Sequence, residues 1–437
     1  MFKKYITEAI VKEVNMKVYN ERESCSGCTA CISVCPKNAI EMIADNEGFL
    51  YPQINNDLCI SCNLCRKVCP FKHENMKSKS EENINLNMDK EKVNDRGKEI
   101  QFAGQLYFAA KHKDNEVIFS SSSGGIFTAL SDYILQKEGS IYGAAFDANF
   151  IVKHMKATNK LDRDEFKGSK YVQSDLKDIF KQIKNELKSE KYVMFTGTPC
   201  QNAGLQNYLS KTNTDYTRLY MCDFICHGTP SPLIWKDYIS HLESKFNDKL
   251  ISFSFRNKEN GWKDMKVSAK FIKENRSKEC NNKYSFLNLF SSLMIVRPSC
   301  FNCQFTSYNR RADITIADFW NIGNIKPDFD DDKGVSSVIV NTDKGLSWFG
   351  EIKSNLRYES CNKEDCWQPH LEYPAVMPSN RKVFWNEYND KGIAYIVDKY
   401  GKGTLSSNMK KKLTPIIRKL GLYVLAGKVY KIIFSRK

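Results

Sequence analysis

Hydrophobic residues between positions 104 and 370 fall into short apolar runs that alternate with longer segments of helical spacing. The strand-like runs are QLYFAAKH, SIYGAAFD, KYVMFTG, RLYMCDFIC and ADITIAD. Helical spacing is clearest in IFTALSDYILQ and PLIWKDYISHLESKF. Because alternating strands and helices are typical of α/β domains, this region is predicted to form a mixed sheet with helices packed on it.

One cysteine pattern, C-x2-C-x2-C-x3-C followed by proline, occurs twice near the N-terminus. It is the ligand run of bacterial ferredoxins with two 4Fe–4S clusters, in which the fourth cysteine of each run ligates the other cluster. The predicted ligand sets are Cys25, Cys28, Cys31 and Cys69 for one cluster, and Cys59, Cys62, Cys65 and Cys35 for the other. Zinc sites and disulfides are the alternatives, and the repeated triple run with its proline argues against both.

The cysteine runs and the apolar pattern together divide the chain into four parts. Residues 1–75 are expected to be an α+β ferredoxin domain. Residues 76–103 are polar and charged, and they are expected to form a linker. Residues 104–370 form the α/β domain, and residues 371–437 form a C-terminal extension with a helical basic tail.

Much of the net charge of +15 lies in that tail. From residue 410 onward there are nine Lys or Arg and no Asp or Glu, interleaved with apolar residues. A basic amphipathic helix of this kind lies on anionic membrane surfaces, and a packed helix with a solvated basic face is the alternative. Nucleic acid is not an expected partner, since no recognition module accompanies the charge.

Cellular location follows from the cysteines and from the apolar pattern. The N-terminus lacks the uninterrupted apolar stretch of a secretory signal, and no run reaches 18 apolar residues. Iron–sulfur ligands must remain reduced thiolates. We therefore expect a cytoplasmic protein that can contact the inner face of the membrane peripherally through its tail.

Four later cysteines suggest a third site. Cys200 starts a helix after KYVMFTG, Cys226 ends RLYMCDFIC, and Cys300 and Cys303 form a C-x2-C pair in RPSCFNCQF. Carboxyl ends of parallel strands meet at one edge of a sheet, so these residues can converge on a third 4Fe–4S cluster. A zinc site, or a nucleophilic Cys200 with His227 as its base, are the alternatives, and the helix start is expected to lower the pKa of Cys200. The other cysteines are expected to be structural: Cys222, Cys280, Cys361 and Cys366.

A cluster of serines and glycines precedes the helical segment IFTALSDYILQ. Hydroxyls and amides at a helix start suit the phosphate of a bound nucleotide, and a plain serine N-cap is the alternative. No G-x-G-x-x-G follows a strand and no Walker loop is present, so a nicotinamide site of Rossmann type is not expected. A flavin is the usual converter between single electrons and two-electron chemistry.

These motifs together resemble the beta subunit of coenzyme F(420)-reducing hydrogenase and its relatives, with a two-cluster ferredoxin attached. The matching stretches include SSSGG, YGAAFD, GSKYVQSD, FTGTPCQNAGL, CHGTPSP, RPSCFNCQF and ADITIADFW. The resemblance implies FAD or a similar flavin, with the third 4Fe–4S cluster held near it by Cys200, Cys226, Cys300 and Cys303. It also implies that the flavin or substrate pocket is lined by Ser122, Ser123, Gly124, Gly125, Lys170, Gln173, Ser174 and Thr198.

We therefore expect an iron–sulfur flavoprotein oxidoreductase. Electrons from a ferredoxin or another redox partner would pass through the clusters to the flavin and on to an unknown organic substrate. Lys170 and His227 are the candidates for proton transfer. Relatives in low-GC bacteria resemble proteins of surface-polysaccharide loci, which suggests that pathway. The alternatives are an electron-transfer subunit that feeds a separate catalytic partner, and a deazaflavin coenzyme dehydrogenase.

Overall fold

The computed structural model describes residues 17–71, 104–264, 266–273 and 286–402. The strands are β1 Ile40–Ala44, β2 Leu50–Ile54, β3 Leu106–His112, β4 Ser140–Phe146, β5 Val152–Ala157, β6 Val193–Thr196, β7 Leu219–Phe224, β8 Leu250–Asn257, β9 Lys266–Phe271, β10 Ile314–Asp318, β11 Ser336–Val340 and β12 Leu356–Cys361. The α-helices are α1 Ala30–Val34, α2 Leu64–Val68, α3 Asn115–Phe119, α4 Ile126–Gln136, α5 Lys160–Asp164, α6 Ile179–Lys188, α7 Pro199–Lys211, α8 Pro232–Phe246, α9 Phe286–Ser291, α10 Ile322–Ile325, α11 Asp343–Ile352 and α12 Arg381–Tyr400. The linker predicted at 76–103 and the basic part of the tail lie outside the described residues.

A small α+β unit forms the N-terminal part of the structure, as predicted. Strands β1 and β2 make an antiparallel hairpin in which Ile40 pairs with Ile54. Helices α1 and α2 each begin inside one cysteine run, at equivalent positions of the two repeats. The sequence repeat is therefore also a structural repeat.

The predicted mixed sheet has eight strands in the order β12-β3-β11-β10-β7-β6-β4-β5. The four central strands, from β10 to β4, run parallel, and the strands outside them pair antiparallel. The segments after β6 and β7 consequently leave the same edge of the sheet, which is where ligands collect in such folds.

Helices cover both faces of this sheet, and the ferredoxin unit lies on one of them. Helices α4 and α11 pack on one face through residues such as Leu130 and Trp348. On the other face, α6 and α7 share a buried cluster with Val34 and Val68 of the ferredoxin unit. The ferredoxin unit thus shares a hydrophobic core with the α/β domain.

Polar contacts also hold the ferredoxin hairpin against the rest of the chain. The Ser231 hydroxyl donates to the Glu47 carbonyl, and the buried Glu47 carboxylate pairs with Arg381 at the start of α12. At Gly48 a Cβ atom would lie 2.3 Å from the Cβ of Leu233, so only glycine fits there. The described part of the C-terminal extension therefore helps to fasten the ferredoxin unit.

None of the helices in the described ranges is long and apolar enough to cross a membrane.

Candidate functional site

Two loops of matching shape position the N-terminal cysteines. Gly27 and Thr29 in the first run, and Ser61 and Asn63 in the second, have positive φ angles of 54–69°. Successive amides in such loops line a concave surface that favours anions. For a β-branched residue such as Thr29 this conformation is rare and must be held by its surroundings. The loops are thus suited to surround a thiolate-ligated cluster with backbone N–H groups.

The first group of cysteines, the inner set, comprises Cys25, Cys28, Cys31 and Cys69. Burial, followed by the thiol of Cys69, raises the pKa of Cys28. Burial, followed by Cys28 and Cys25, raises the pKa of Cys31. Burial raises the pKa of Cys69 to about 11. Burial thus disfavours the ionised forms of Cys28, Cys31 and Cys69, and iron ions would supply the compensating positive charge.

The second group, the outer set, comprises Cys35, Cys59, Cys62 and Cys65, which line a cavity of about 20 Å³. Burial raises the pKa of Cys65, and Cys62 and Cys35 add to it. This set lies at the surface: Cys62 is exposed, and Leu58 and Ile60 beside it are 51% and 56% exposed. Both sets combine cysteines in the crossed manner that the repeat predicts.

The third set comprises Cys200, Cys226, Cys300 and Cys303, which line one cavity of about 40 Å³. Cys200 lies in the first turn of α7, directly after β6, and Cys226 follows the neighbouring strand β7. A 3-10 helix at Pro298–Asn302 presents the other two. The structure therefore brings together the four cysteines that the sequence selects from three separate segments.

Hydrogen bonds to sulfur surround this cavity. The backbone N–H of Gly228 donates to Cys226 Sγ at 3.4 Å, and that of Phe305 donates to Cys303 Sγ at 3.4 Å. The Thr198 hydroxyl lies 3.1 Å from Cys200 Sγ. Such contacts are typical around cluster ligands and influence reduction potential.

The expected lowering of the Cys200 pKa by the helix start is wrong. Burial raises the pKa of this thiol, and the Thr198 hydroxyl and the Arg297 cation offset only part of the effect. The desolvation of a buried anion outweighs the field of the helix terminus. A raised pKa does not favour the nucleophile alternative for Cys200.

Within the described residues, no group of three or more His, Cys, Asp or Glu side chains is arranged to hold a single metal ion. A tetrahedral zinc ion with Zn–S bonds of about 2.3 Å would draw its sulfurs close together. A four-iron cluster is a larger body whose ligands stand further apart. The arrangement of the described cysteines therefore does not favour the zinc alternative.

The inner and third sets adjoin each other through helix α7. A Cβ atom on Gly204 would lie 2.8 Å from Cys28 Sγ and 3.0 Å from Cys28 Cβ. Cys200 lies one helical turn before Gly204. Cys200 is also among the thiols that raise the pKa of Cys28, behind burial and Cys69, and Ser26 lines the third cavity.

Arg297, which the sequence analysis missed, lies between these two sets. Its Nε donates to the Cys25 carbonyl at 2.8 Å, and Nη2 lies 3.7 Å from Cys25 Sγ. Nη1 donates to Gln173 Oε1 at 2.9 Å, and Gln173 in turn donates to the Ser26 carbonyl at 3.0 Å. Its position three residues before Cys300 is the signal that could have identified it.

The two candidates for proton transfer lie in different places. His227 lines the third cavity with its ring centroid 4.3 Å from that of His370, and burial followed by His370 lowers the pKa of His227 to about 3. Lys170 donates to the carbonyls of Glu165 and Lys167, and burial lowers its pKa to about 7. Lys170 is not among the residues that line the third cavity. Both roles stay predictions.

The eight residues predicted to line the flavin pocket separate into two groups. Gln173 and Thr198 line the third cavity, and Ser174 accepts a hydrogen bond from Gln201 in α7. The remaining predicted residues are Ser122, Ser123, Gly124, Gly125 and Lys170. The segment 169–174 connects the groups, since Ser169 bonds to Ser122 and Gln173 to Arg297.

Polar groups of the serine–glycine segment are already bonded inside the protein. Ser122 Oγ accepts from the Ser169 N–H at 2.7 Å, Ser123 Oγ donates to the Val335 carbonyl, and the Gly124 N–H donates to Ser336 Oγ. The Ser123 hydroxyl and the Gly124 N–H are therefore already used as donors within the protein. Of the residues predicted for the flavin pocket, Gln173 and Thr198 line the cavity beside the third set of cysteines.

Two of the cysteines expected to be structural interact with each other. Cys361 ends β12 at the sheet edge, and a short turn returns the chain to the buried Cys366. Their interaction lowers the pKa of Cys361 and raises that of Cys366. Cys222 is fully buried, as expected, and Cys280 lies outside the described residues.

Comparisons with known proteins find matches for the N-terminal cysteine runs and for part of the α/β domain. Residues 190–365 match the family model for the C terminus of the coenzyme F420 hydrogenase/dehydrogenase beta chain, and residues 24–73 match a 4Fe–4S dicluster domain. A solved structure of the F420-reducing [NiFe] hydrogenase complex from Methanosarcina barkeri matches with a TM-score of 0.40 and 19% identity, covering 67% of this chain and 91% of that chain.

Curated relatives include uncharacterized proteins of Methanocaldococcus jannaschii. One ferredoxin is 33% identical over 105 residues, which is 23% of this chain and 60% of that protein. A polyferredoxin-like protein is 41% identical over 56 residues, 11% of this chain and 33% of that protein. A second ferredoxin is 33% identical over 55 residues, 13% of this chain and 70% of that protein. The chain thus spans less than two thirds of the first two.

Proposed function

We propose that this chain is an iron–sulfur oxidoreductase of the coenzyme F(420) hydrogenase/dehydrogenase beta subunit family, with three clusters and a flavin. The family-model match over residues 190–365 and the 4Fe–4S dicluster match over residues 24–73 support this proposal. The inner, outer and third sets would each hold one 4Fe–4S cluster, a carrier of single electrons. A flavin would convert single electrons into the two-electron chemistry of an organic substrate.

The contact of Cys28 with Gly204 is the observation that carries this proposal. It places an inner-set ligand against the same helix whose first turn presents Cys200. The shared hydrophobic core and the buried Glu47–Arg381 pair hold that contact in place. Electron transfer between the inner and third sets requires that the two sets lie close together in a fixed arrangement.

The outer set supports a docking role at the other end of the relay. Cys62 is exposed at this surface, and Leu58 and Ile60 offer apolar contact area beside it. We propose that a ferredoxin or another small redox protein docks here and exchanges electrons with the outer set.

Iron and sulfide analysis of the anaerobically purified chain tests the three-cluster proposal. We expect about twelve irons per chain, four for each set. Cys226→Ser should lose about four irons, because it removes a ligand of the third set only. The matched control is Cys222→Ser, a buried cysteine on the preceding strand that belongs to no set, and it should keep the full iron content. A Cys226→Ser protein with undiminished iron would show that the third set binds no cluster.

Flavin content of the same preparation separates the enzyme from its main alternative. One flavin per chain supports the oxidoreductase, and substrate screening would then begin with the deazaflavin coenzyme and with intermediates of surface-polysaccharide metabolism. About eight irons and no flavin would instead support an electron-transfer subunit that feeds a separate catalytic partner.

A further inference from the structure

Arg297 is a buried cation that has no carboxylate partner among the described ion pairs. Its side chain is 1% exposed. Its N–H groups reach the Cys25 and Leu50 carbonyls and the Gln173 amide oxygen, all of which are neutral. Burying a guanidinium without a counter-charge is costly. A buried charge with only neutral partners indicates that its anionic partner is something other than a carboxylate.

Thiols of two cysteine sets lie on either side of Arg297. On one side Nη2 lies 3.7 Å from Cys25 Sγ of the inner set. On the other side Arg297 lines the cavity of the third set together with Cys200, Cys300 and Cys303. One guanidinium therefore faces both sets.

We propose that Arg297 is the shared counter-charge of the inner and third clusters and sets the reduction potentials of both. This inference rests on the proposed three-cluster function. Four thiolates outweigh the charge of a cluster core, so each cluster is anionic and becomes more so on reduction. A fixed cation beside both clusters stabilises the reduced states and raises their potentials, since net charge and hydrogen bonding to sulfur set those potentials.

The surroundings of Arg297 keep the guanidinium in one position. The ring of Tyr51 lies 4.2 Å from its central carbon and that of Phe49 5.4 Å, so the planar group is stacked on the ferredoxin hairpin. Gln173 holds Nη1, and a Cβ atom on Gly27 would lie 2.8 Å from Gln173 Nε2 and 3.1 Å from Arg297 Nη1. The loop that contains Gly27 can approach the Arg297 guanidinium this closely because glycine has no side chain.

An EPR-monitored redox titration of the full-length holoprotein tests this role. In Arg297→Gln, the midpoint potentials of the inner and third clusters should become more negative by at least about 59 mV. This shift corresponds to about a tenfold change in the equilibrium constant of a one-electron reduction. The outer cluster is the internal control and should not move, because Arg297 contacts none of its ligands. Arg297→Lys keeps the charge and should stay closer to the wild type than Arg297→Gln does.

The possible failures are distinguishable. About twelve irons with three unchanged potentials, or an equal shift of all three, would refute the counter-charge role and leave the proposed function intact. About eight irons and two potentials would remove the third cluster and the shared role together. If Arg297→Gln cannot assemble its clusters, normal assembly of Arg297→Lys supports the role, whereas failure of the lysine variant refutes it because the charge is retained.

Discussion

Replacing Gly204 by alanine tests whether the inner set is packed against α7 as closely as the structure indicates. The added Cβ atom would lie 2.8 Å from Cys28 Sγ and 3.5 Å from a ring carbon of Phe180. Ordinary contacts between such atoms begin at about 3.5 Å, so the sulfur would have to move by about 0.7 Å. Cys28 is buried and its sulfur is committed to the inner set, so it cannot turn away.

Two opposing terms decide the outcome for Gly204→Ala. Alanine in place of glycine inside a helix stabilises by about 1 kcal/mol. Overpacking of a filled site costs about 1–3 kcal/mol. The matched control is Gly350→Ala in α11, where no atom lies within 4 Å of the added Cβ and only the favourable term applies. Because both variants share the helix gain, Gly204→Ala should be less stable than Gly350→Ala by the overpacking cost of about 1–3 kcal/mol.

Urea unfolding under anaerobic conditions, followed by the visible absorbance of the clusters and by iron analysis, measures this difference. Gly350→Ala should shift the midpoint to higher urea. Gly204→Ala should bleach earlier than Gly350→Ala and bind fewer irons, because the strain acts on an inner-set ligand. A Gly204→Ala protein that matches Gly350→Ala in midpoint and in iron would refute the close packing.

Three further predictions concern other parts of the chain. Burial lowers the pKa of His154 from 6.5 to about 4, so the unfolded state binds a proton that the native state excludes. The free energy of unfolding should consequently fall by up to about 3 kcal/mol as the pH drops from 6.5 to 4. Urea titrations of His154→Phe should show no such fall, and equal pH profiles of the variant and the wild type would contradict this prediction. Glu47→Gln leaves Arg381 buried and unpaired and should destabilise by about 3 kcal/mol, whereas breaking the exposed Lys402–Asp398 pair should change little. Brief treatment with iodoacetamide should alkylate Cys361, whose pKa is lowered, before it alkylates the buried Cys222, whose pKa is raised. Peptide mass mapping would show the order, and faster alkylation of Cys222 would contradict the lowered pKa of Cys361.

The sequence was most informative where ligands are close together along the chain. The runs at 25–35 and 59–69 specify both ferredoxin sets, because the spacing of three cysteines fixes one face of a cluster. Cys200 and Cys226 were also predictable, since each follows a recognisable strand and parallel neighbouring strands end at the same edge. Arg297 was not, because its partner Cys25 is 272 positions away and a lone arginine before a cysteine pair has no pattern of its own.

The pocket residues show where sequence reasoning was weakest. The position of a serine within a sequence motif does not show whether its hydroxyl faces a cavity or bonds to a neighbouring backbone group. Ser123 looked like a free donor, yet its hydroxyl donates to the Val335 carbonyl, and Ser122 Oγ accepts hydrogen bonds from Ser169. The contact between Cys361 and Cys366 depends on the tight turn between them, and the polar residues of that turn were the available signal.

The two halves of the ferredoxin repeat are not interchangeable, and one missing Cβ atom distinguishes them. Gly27 and Ser61 occupy equivalent positions and both have a positive φ, and Gly27 lies against Gln173 and Arg297. A Cβ atom at position 27 would lie 2.8 Å from Gln173 Nε2, and Ser61 carries such a Cβ atom at the equivalent position of the second run. The two runs therefore cannot exchange places without a clash, and Gly27 determines which cysteine set lies beside Gln173 and Arg297.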